Sequence, residues 1–161
     1  MKWISIPILA VWLFCPFAKA ASLSIAFLGY SNHYIDNNYD YNENHDLIGL
    51  SINDGFSIAH FTNSYNNTSV LVGWRFKVEQ ALKIQNLSIS AGIVTGLVTG
   101  YEKDQIITYI NENISFYLIP QIILSYPITK STSLSLVNGI IPDTHGVIFM
   151  HHLELSFGDV F

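Results

Sequence analysis

Ser69-Val70-Leu71-Val72-Gly73-Trp74-Arg75-Phe76-Lys77-Val78 places a large apolar residue at every even position, and Ser, Leu, Gly, Arg and Lys at the odd ones. A two-residue period sends successive side chains to opposite faces of a strand, so this stretch has one wholly apolar face and one mixed face. The same alternation recurs outward in both directions. Leu23, Ile25 and Phe27 alternate with Ser22, Ser24 and Ala26, and Ile48, Leu50 and Ile52 alternate with Gly49, Ser51 and Asn53. Leu87, Ile89, Ala91 and Ile93 follow, with Ser88, Ser90 and Gly92 between them. Further strands are expected over 56–65, 114–125, 132–141 and 147–157, giving about eight. No segment sustains a helical 3.6-residue period.

The connections alternate in length. Asn53-Asp54-Gly55 and Pro127 to Lys130 read as tight turns, whereas Ile35 to His45 and Gly100 to Asn113 are long and polar. Asn66 to Thr68 and Pro142 to Gly146 are shorter connections of the same set, and Glu79 to Asn86 is less clearly short. Short turns at one end and long loops at the other are the signature of an outer-membrane barrel. A soluble β-sandwich has the same alternation, but its water-facing side would carry Lys and Glu rather than Ser and Gly. The chain also closes on Leu153-Glu154-Leu155-Ser156-Phe157-Gly158-Asp159-Val160-Phe161, a strand pattern with a terminal aromatic residue. The expected fold is all-β, an eight-stranded antiparallel outer-membrane β-barrel with Tyr and Trp near strand ends at the membrane interfaces.

Residues 1–20 read as a secretory signal peptide: Met1-Lys2, an apolar run from Trp3 to Phe17 broken by Pro7 and Pro16, and the small-x-small site Ala18-Lys19-Ala20. That run is short for a membrane-spanning helix. Residues 21–161 then form a single transmembrane β-barrel domain in the bacterial outer membrane. The chain's one cysteine, Cys15, lies in the leader, so a disulfide-stapled fold is excluded. Of 161 residues only 12% are charged, with a formal net charge of -5, which excludes the basic surface that binds a phosphate backbone.

If both termini face the periplasm, His33, Glu43, His45, Asn63, Ser64, Tyr101 and His145 come to the outer rim. His33 ends the first strand and Ser64 the third, so the two can meet on one side of a barrel. A histidine able to take a proton from a hydroxyl is the minimum for acyl transfer through an activated oxygen. His151 and His152 are neighbours in one strand, point to opposite faces and cannot chelate one ion together. His60 reads as a pore-side or interface residue. The triplets in Asn66-Asn67-Thr68-Ser69 resemble glycosylation sites but carry no weight in a bacterial protein.

Tyr41-Asn42-Glu43 with Gly49, then Phe61-Thr62-Asn63-Ser64 and Gly73-Trp74, resemble in order the landmarks of the outer-membrane lipid A palmitoyltransferase (PagP-like) family. Ser90 to Thr99 is similar to that family's Gly-rich fifth strand. Tyr117-Leu118-Ile119-Pro120 and Ile140-Ile141-Pro142 onward resemble its later strands. The resemblance runs from about His33 to Phe161. It implies an eight-stranded barrel that moves a palmitoyl chain from a phospholipid to lipid A, with a rim His and an adjacent Asp-Ser pair. By position the catalytic residues would be His33, Asn63 and Ser64, with an amide standing where the family has a carboxylate. The resemblance further implies no cofactor and no metal, and membrane lipids, phospholipid and lipid A, as partners of a monomeric barrel without nucleic acid.

Two departures stand beside it. The family's leading amphipathic helix has no room here, because Ser22 already belongs to a strand pattern. The outer loops hold Asp36, Asp40, Glu43, Asp46, Glu102, Asp104, Glu112 and Asp143 against only Lys103, a poor cradle for phosphates. Two alternatives are a non-enzymatic barrel that modifies the cell surface and a lipid A deacylase. An acyl-chain site requires an apolar upper interior, whereas a purely structural barrel can be plugged with paired charges. On the family pattern, Asn63→Asp would restore the carboxylate and raise activity.

Overall fold

The alternating stretches form strands in the expected places. A computed structural model describes residues 22–35, 39–105, 108–111, 113–143 and 146–158. The expected signal peptide over 1–20, Asp36, Glu112, His145 and Phe161 therefore lie outside the described residues. The strands are β1 (Leu23–Ile35), β2 (Ile48–Ile52), β3 (Phe56–Thr62), β4 (Thr68–Ile84), β5 (Leu87–Val98), β6 (Tyr109–Asn111), β7 (Ile114–Thr129), β8 (Thr132–Asp143) and β9 (Gly146–Phe157). Each neighbouring pair is antiparallel, β5 pairs with β7, and β9 pairs back onto β1. All but β6 thus close into an eight-stranded barrel, with β6 a short flap on β7 in the long loop after β5.

The turn end carries Asn53-Asp54, Gln85-Asn86 and Lys130-Ser131. Asn53 and Asp54 have φ of 55° and 51°, and Gly55 N–H closes onto Ile52 O at 3.0 Å. Left-handed conformation at both central residues suits a hairpin's twist, and Asn and Asp tolerate it better than most residues. The doubtful link from Glu79 to Asn86 resolves into strand: β4 continues to Ile84, with an irregular register between Val78 and Leu82. Pro127 to Thr129 likewise belongs to β7, so the expected Pro127 to Lys130 turn shifts to Lys130-Ser131. The strand expected over 56–65 stops at Thr62, because Asn63 begins a turn.

The parity of β4 is as its sequence pattern requires. Val70, Val72, Trp74 and Phe76 are exposed, while Arg75 is 6% exposed and points inward. Gly73 faces Gly96 across the β4–β5 ladder. A Cβ on Gly96 would stand 2.2 Å from Val72 O and 3.0 Å from Tyr117 Oη, so this close approach excludes any side chain.

The interior divides along the barrel axis. Toward the turn end it is filled by serines, with Ser24–Ser156, Ser51–Ser57 and Ser125–Ser135 hydroxyl pairs each at 2.8 Å. Arg75 adds a bidentate pair to Glu154, at 3.0 and 2.8 Å. Toward the loop end the filling is apolar: Val94, Val98, Tyr117 and Ile119, packed with Phe61, Leu71, Tyr101, Ile141 and Met150.

Two walls are irregular near the loop end. The β1–β2 ladder stops at Phe27↔Ile48, beside a bulge at Leu28 with φ of 55°. Segment 42–47 completes that wall through His45 N–H to Gly29 O (3.0 Å) and Thr62 N–H to His45 O (2.7 Å). The β7–β8 ladder stops at Gln121↔Gly139. Beyond it stand Pro120 and Pro142, which have no N–H to donate; β8 continues with only β9, while β7 continues with β5 and, over Ile114 to Phe116, with the short β6.

Candidate active site

β1 and β3 run toward the same end, and their last turns bring His33 and Ser64 together. His33 Nε2 lies 2.9 Å from Ser64 Oγ, and the His33 side chain is 4% exposed. Tyr41 stacks on the imidazole with ring centroids 4.3 Å apart and planes 5° from parallel. Contact with a flat aromatic face fixes the ring's plane and leaves its edge toward Ser64.

The turn that presents Ser64 is organised by Asn63, which is fully buried. Its Oδ1 accepts the N–H of Tyr65 at 2.9 Å and of Asn67 at 3.0 Å. Its Nδ2 donates to Ser69 Oγ at 3.1 Å and to Gly100 O at 2.7 Å. Gly100 has φ of +86°, and a Cβ there would meet Thr68 O at 2.3 Å. The amide thus satisfies two donors and two acceptors that a carboxylate could not serve together. At the position where the resemblance implies a catalytic carboxylate, the side chain holds the loop.

A carboxylate reaches the histidine from elsewhere. Glu43 Oε1 is 3.9 Å from His33 Nδ1, and its Oε2 accepts a hydrogen bond from Tyr30 Oη at 2.7 Å. That hydrogen bond, with a smaller contribution from His33, holds the Glu43 carboxyl below the usual carboxylate range. Backbone bonds from Ser31 N–H to Glu43 O and from Asn42 N–H to Ser64 O, both 2.9 Å, seat the 41–44 segment between β1 and the Ser64 turn. Ser64, His33 and Glu43 therefore form a hydroxyl–imidazole–carboxylate series in which the last contact is electrostatic rather than a hydrogen bond.

Of the other rim residues, His45 joins the walls. Its Nε2 meets Ser31 Oγ at 2.7 Å and its Nδ1 meets Thr62 O at 2.8 Å. Tyr101 packs on the apolar upper interior. An open cleft of about 460 Å³ is lined by His33, Tyr39, Asp40, Tyr41, Asn42, Glu43 and Asn44, with no lysine or arginine among these residues. His60 is exposed on the outer wall. His151 and His152 take opposite faces, His152 buried and His151 bonded to Asn138. Among the described residues no cluster of three or more His, Cys, Asp or Glu is placed to hold a metal ion.

The role of Glu43 was not assigned from the sequence, although Tyr41-Asn42-Glu43 was one of the motifs that carried the resemblance. Its proximity to His33 in sequence, on a loop returning past the strand end, was the available signal. No family model matches the chain, and no curated protein matches it.

Proposed function

We propose that the chain is an outer-membrane acyltransferase of the palmitoyltransferase type, moving an acyl chain from a phospholipid to lipid A with Ser64 and His33 at its centre. The observation that carries this reading is the 2.9 Å contact between Ser64 Oγ and His33 Nε2, with His33 and Glu43 lining an open cleft. Ser64 Oγ attacks the ester carbonyl carbon as its proton passes to Nε2. The carbon–oxygen bond to the phospholipid glycerol breaks, and the proton leaves with the glycerol oxygen. The acceptor hydroxyl then attacks the acyl-serine and gives its proton to Nε2, and Ser64 Oγ regains that proton as the acyl chain departs. Glu43 opposes the positive charge that the ring carries in each half-reaction.

The surroundings support a lipid substrate. The apolar upper interior is the environment an acyl chain needs, and the unpaired stretch between β7 and β8 offers such a chain a lateral path through the wall. The exposed apolar faces of the strands fit a barrel held in the outer membrane. A second reading, deacylation, has the polar, open cleft in its favour, because water could take the acceptor's place.

Mass spectrometry of lipid A from cells with and without the chain separates these outcomes. An added acyl mass that disappears in Ser64→Ala supports transfer, and a lost acyl mass supports deacylation. Unchanged lipid A in cells with the folded barrel at the surface sinks both.

A further inference from the structure

A second serine on β1 also meets a histidine. Ser31 Oγ lies 2.7 Å from His45 Nε2, and His45 Nδ1 lies 2.8 Å from Thr62 O. A carbonyl oxygen only accepts, so Nδ1 carries the proton of the neutral ring and Nε2 keeps its lone pair for the Ser31 hydroxyl. A nucleophile, a base and a third group that orients the base are the signature of an activated hydroxyl, wherever the residues stand in the chain. Here both contacts are hydrogen bonds. Gly29 makes the approach possible: a Cβ there would stand 3.1 Å from His45 Cβ and 2.7 Å from Leu47 Cβ, so a side chain would push segment 42–47 off β1.

The serines toward the turn end provide the contrast. Ser24–Ser156, Ser51–Ser57 and Ser125–Ser135 set hydroxyl against hydroxyl, with no base between them. Ser31 is 2% exposed and borders the apolar upper interior. It stands opposite Met150 across the β1–β9 ladder, and the His45 ring meets Phe61 edge to face with centroids 6.5 Å apart. Met150 and Phe61 both pack on the cluster of Val94, Val98, Tyr117 and Ile119. The row continues from Met150 to Gly139, the β8 member of the last β7–β8 pair. Ser31 is thus two strands, about 10 Å, from the foot of the opening.

We propose that Ser31 is a second nucleophile, reactive toward long-chain acyl esters with His45 as its base, and that the protein acylates itself there. Ser31 Oγ attacks the ester carbonyl carbon while its proton passes to His45 Nε2. The bond from that carbon to the ester's alcohol oxygen breaks, and the alcohol leaves with the proton from Nε2, which returns the ring to its neutral form. The apolar upper interior receives the acyl chain, and the burial of Ser31 keeps water from the new ester, so acyl-Ser31 persists. Neither Ser64 nor His33 takes part, so this inference does not rest on acyl transfer at the rim.

The test uses the folded protein in phosphatidylcholine vesicles, with hexadecyl fluorophosphonate as the probe and peptide mass spectrometry to locate the adduct. Phosphorus takes the place of the carbonyl carbon and fluoride leaves, so the probe reports a serine with a base beside it. Ser31 should be labelled at least about 100-fold faster than Ser24 or Ser125, the lower end of what general-base assistance contributes. The label should persist in Ser64→Ala. His45→Gln, which keeps a side-chain donor and acceptor between Thr62 O and Ser31, should slow labelling of Ser31 by a similar factor while gel mobility stays that of a folded barrel. With palmitoyl phosphatidylcholine in place of the probe, the adduct at Ser31 should be one palmitoyl group. Labelling of Ser64 alone, labelling of Ser31 no faster than that of the paired serines, or labelling of Ser31 unchanged in a folded His45→Gln would overturn the proposal. The first two of these are read on the unsubstituted protein and decide the matter even if His45→Gln does not fold.

Discussion

At the scale of single residues, the site's chemistry depends on two contacts of different kinds. Ser64 and His33 are in hydrogen-bond reach, so Ser64→Ala and His33→Ala should each lower the proposed acyl transfer at least about 100-fold, the lower bound for lost general-base assistance. Heat-modified mobility on gels should remain that of a folded barrel. Glu43 acts through charge at 3.9 Å, which is worth about 1 kcal/mol when water screens it. Glu43→Gln keeps the acceptor for Tyr30 and should reduce kcat about fivefold to tenfold with KM little changed. Asn63→Asp has a different expected outcome from the one the family pattern suggests. It removes the donors to Ser69 Oγ and Gly100 O and buries a charge, so it should destabilise the barrel by about 1–3 kcal/mol and lower activity. Denaturant titration alongside the transfer assay checks this, and an active, equally stable Asn63→Asp would restore the carboxylate interpretation.

At the scale of elements, strand parity decides which substitutions the wall tolerates. Val72 is exposed on the outer face of β4, while Leu71 packs on the apolar interior. Val72→Arg should cost about 2–4 kcal/mol in a bilayer, the depth-dependent cost of a cation on the lipid face. The measurement is reversible unfolding from phosphatidylcholine vesicles. If Val72→Arg is as stable as the parent chain, the outer face of β4 does not meet lipid. The β4–β5 hairpin illustrates how far pattern carries: the alternation from Val70 to Val78 is plain, yet Val78 to Leu82 breaks register and conceals the strand's continuation to Ile84. Glu79-Gln80-Ala81 has no alternation to read, and the pairings on either side of it, Val78↔Ala91 and Leu82↔Ile89, rather than local pattern keep β4 in the sheet.

At the scale of the whole molecule, the barrel sums its interior from residues far apart in the chain. Arg75 and Glu154 are 79 positions apart and meet as a bidentate pair, with Arg75 4.0 Å from Asp54 and His152 3.9 Å from Glu154. Glu154→Leu leaves a buried guanidinium without its main partner and should destabilise the barrel by about 3–5 kcal/mol. The double replacement Arg75→Met with Glu154→Leu should cost much less, since it removes both charges from the interior. Urea midpoints of the single and double variants in the same vesicles measure the difference, and equal losses would mean that the pair is not the dominant contact there. The interior combines both expected alternatives, a charge-plugged turn end and an apolar loop end.

Local alternation by itself determined the strand class, the outward stripe of β4, the Ser- and Gly-rich inner face and the placement of long loops at one end. These are properties of neighbouring residues, because a two-residue period and a turn's preferred backbone angles are set within a few positions. The same reading placed His33 and Ser64 at one rim. Only the tertiary structure decided that they touch, that Asn63 spends its amide on the loop, that Glu43 supplies the carboxylate near the ring, and that the β7–β8 ladder ends at Gln121↔Gly139. Each of these depends on register between strands and on closure of the barrel, and a one-residue slip in pairing would redistribute every inward contact without altering the alternation along any strand.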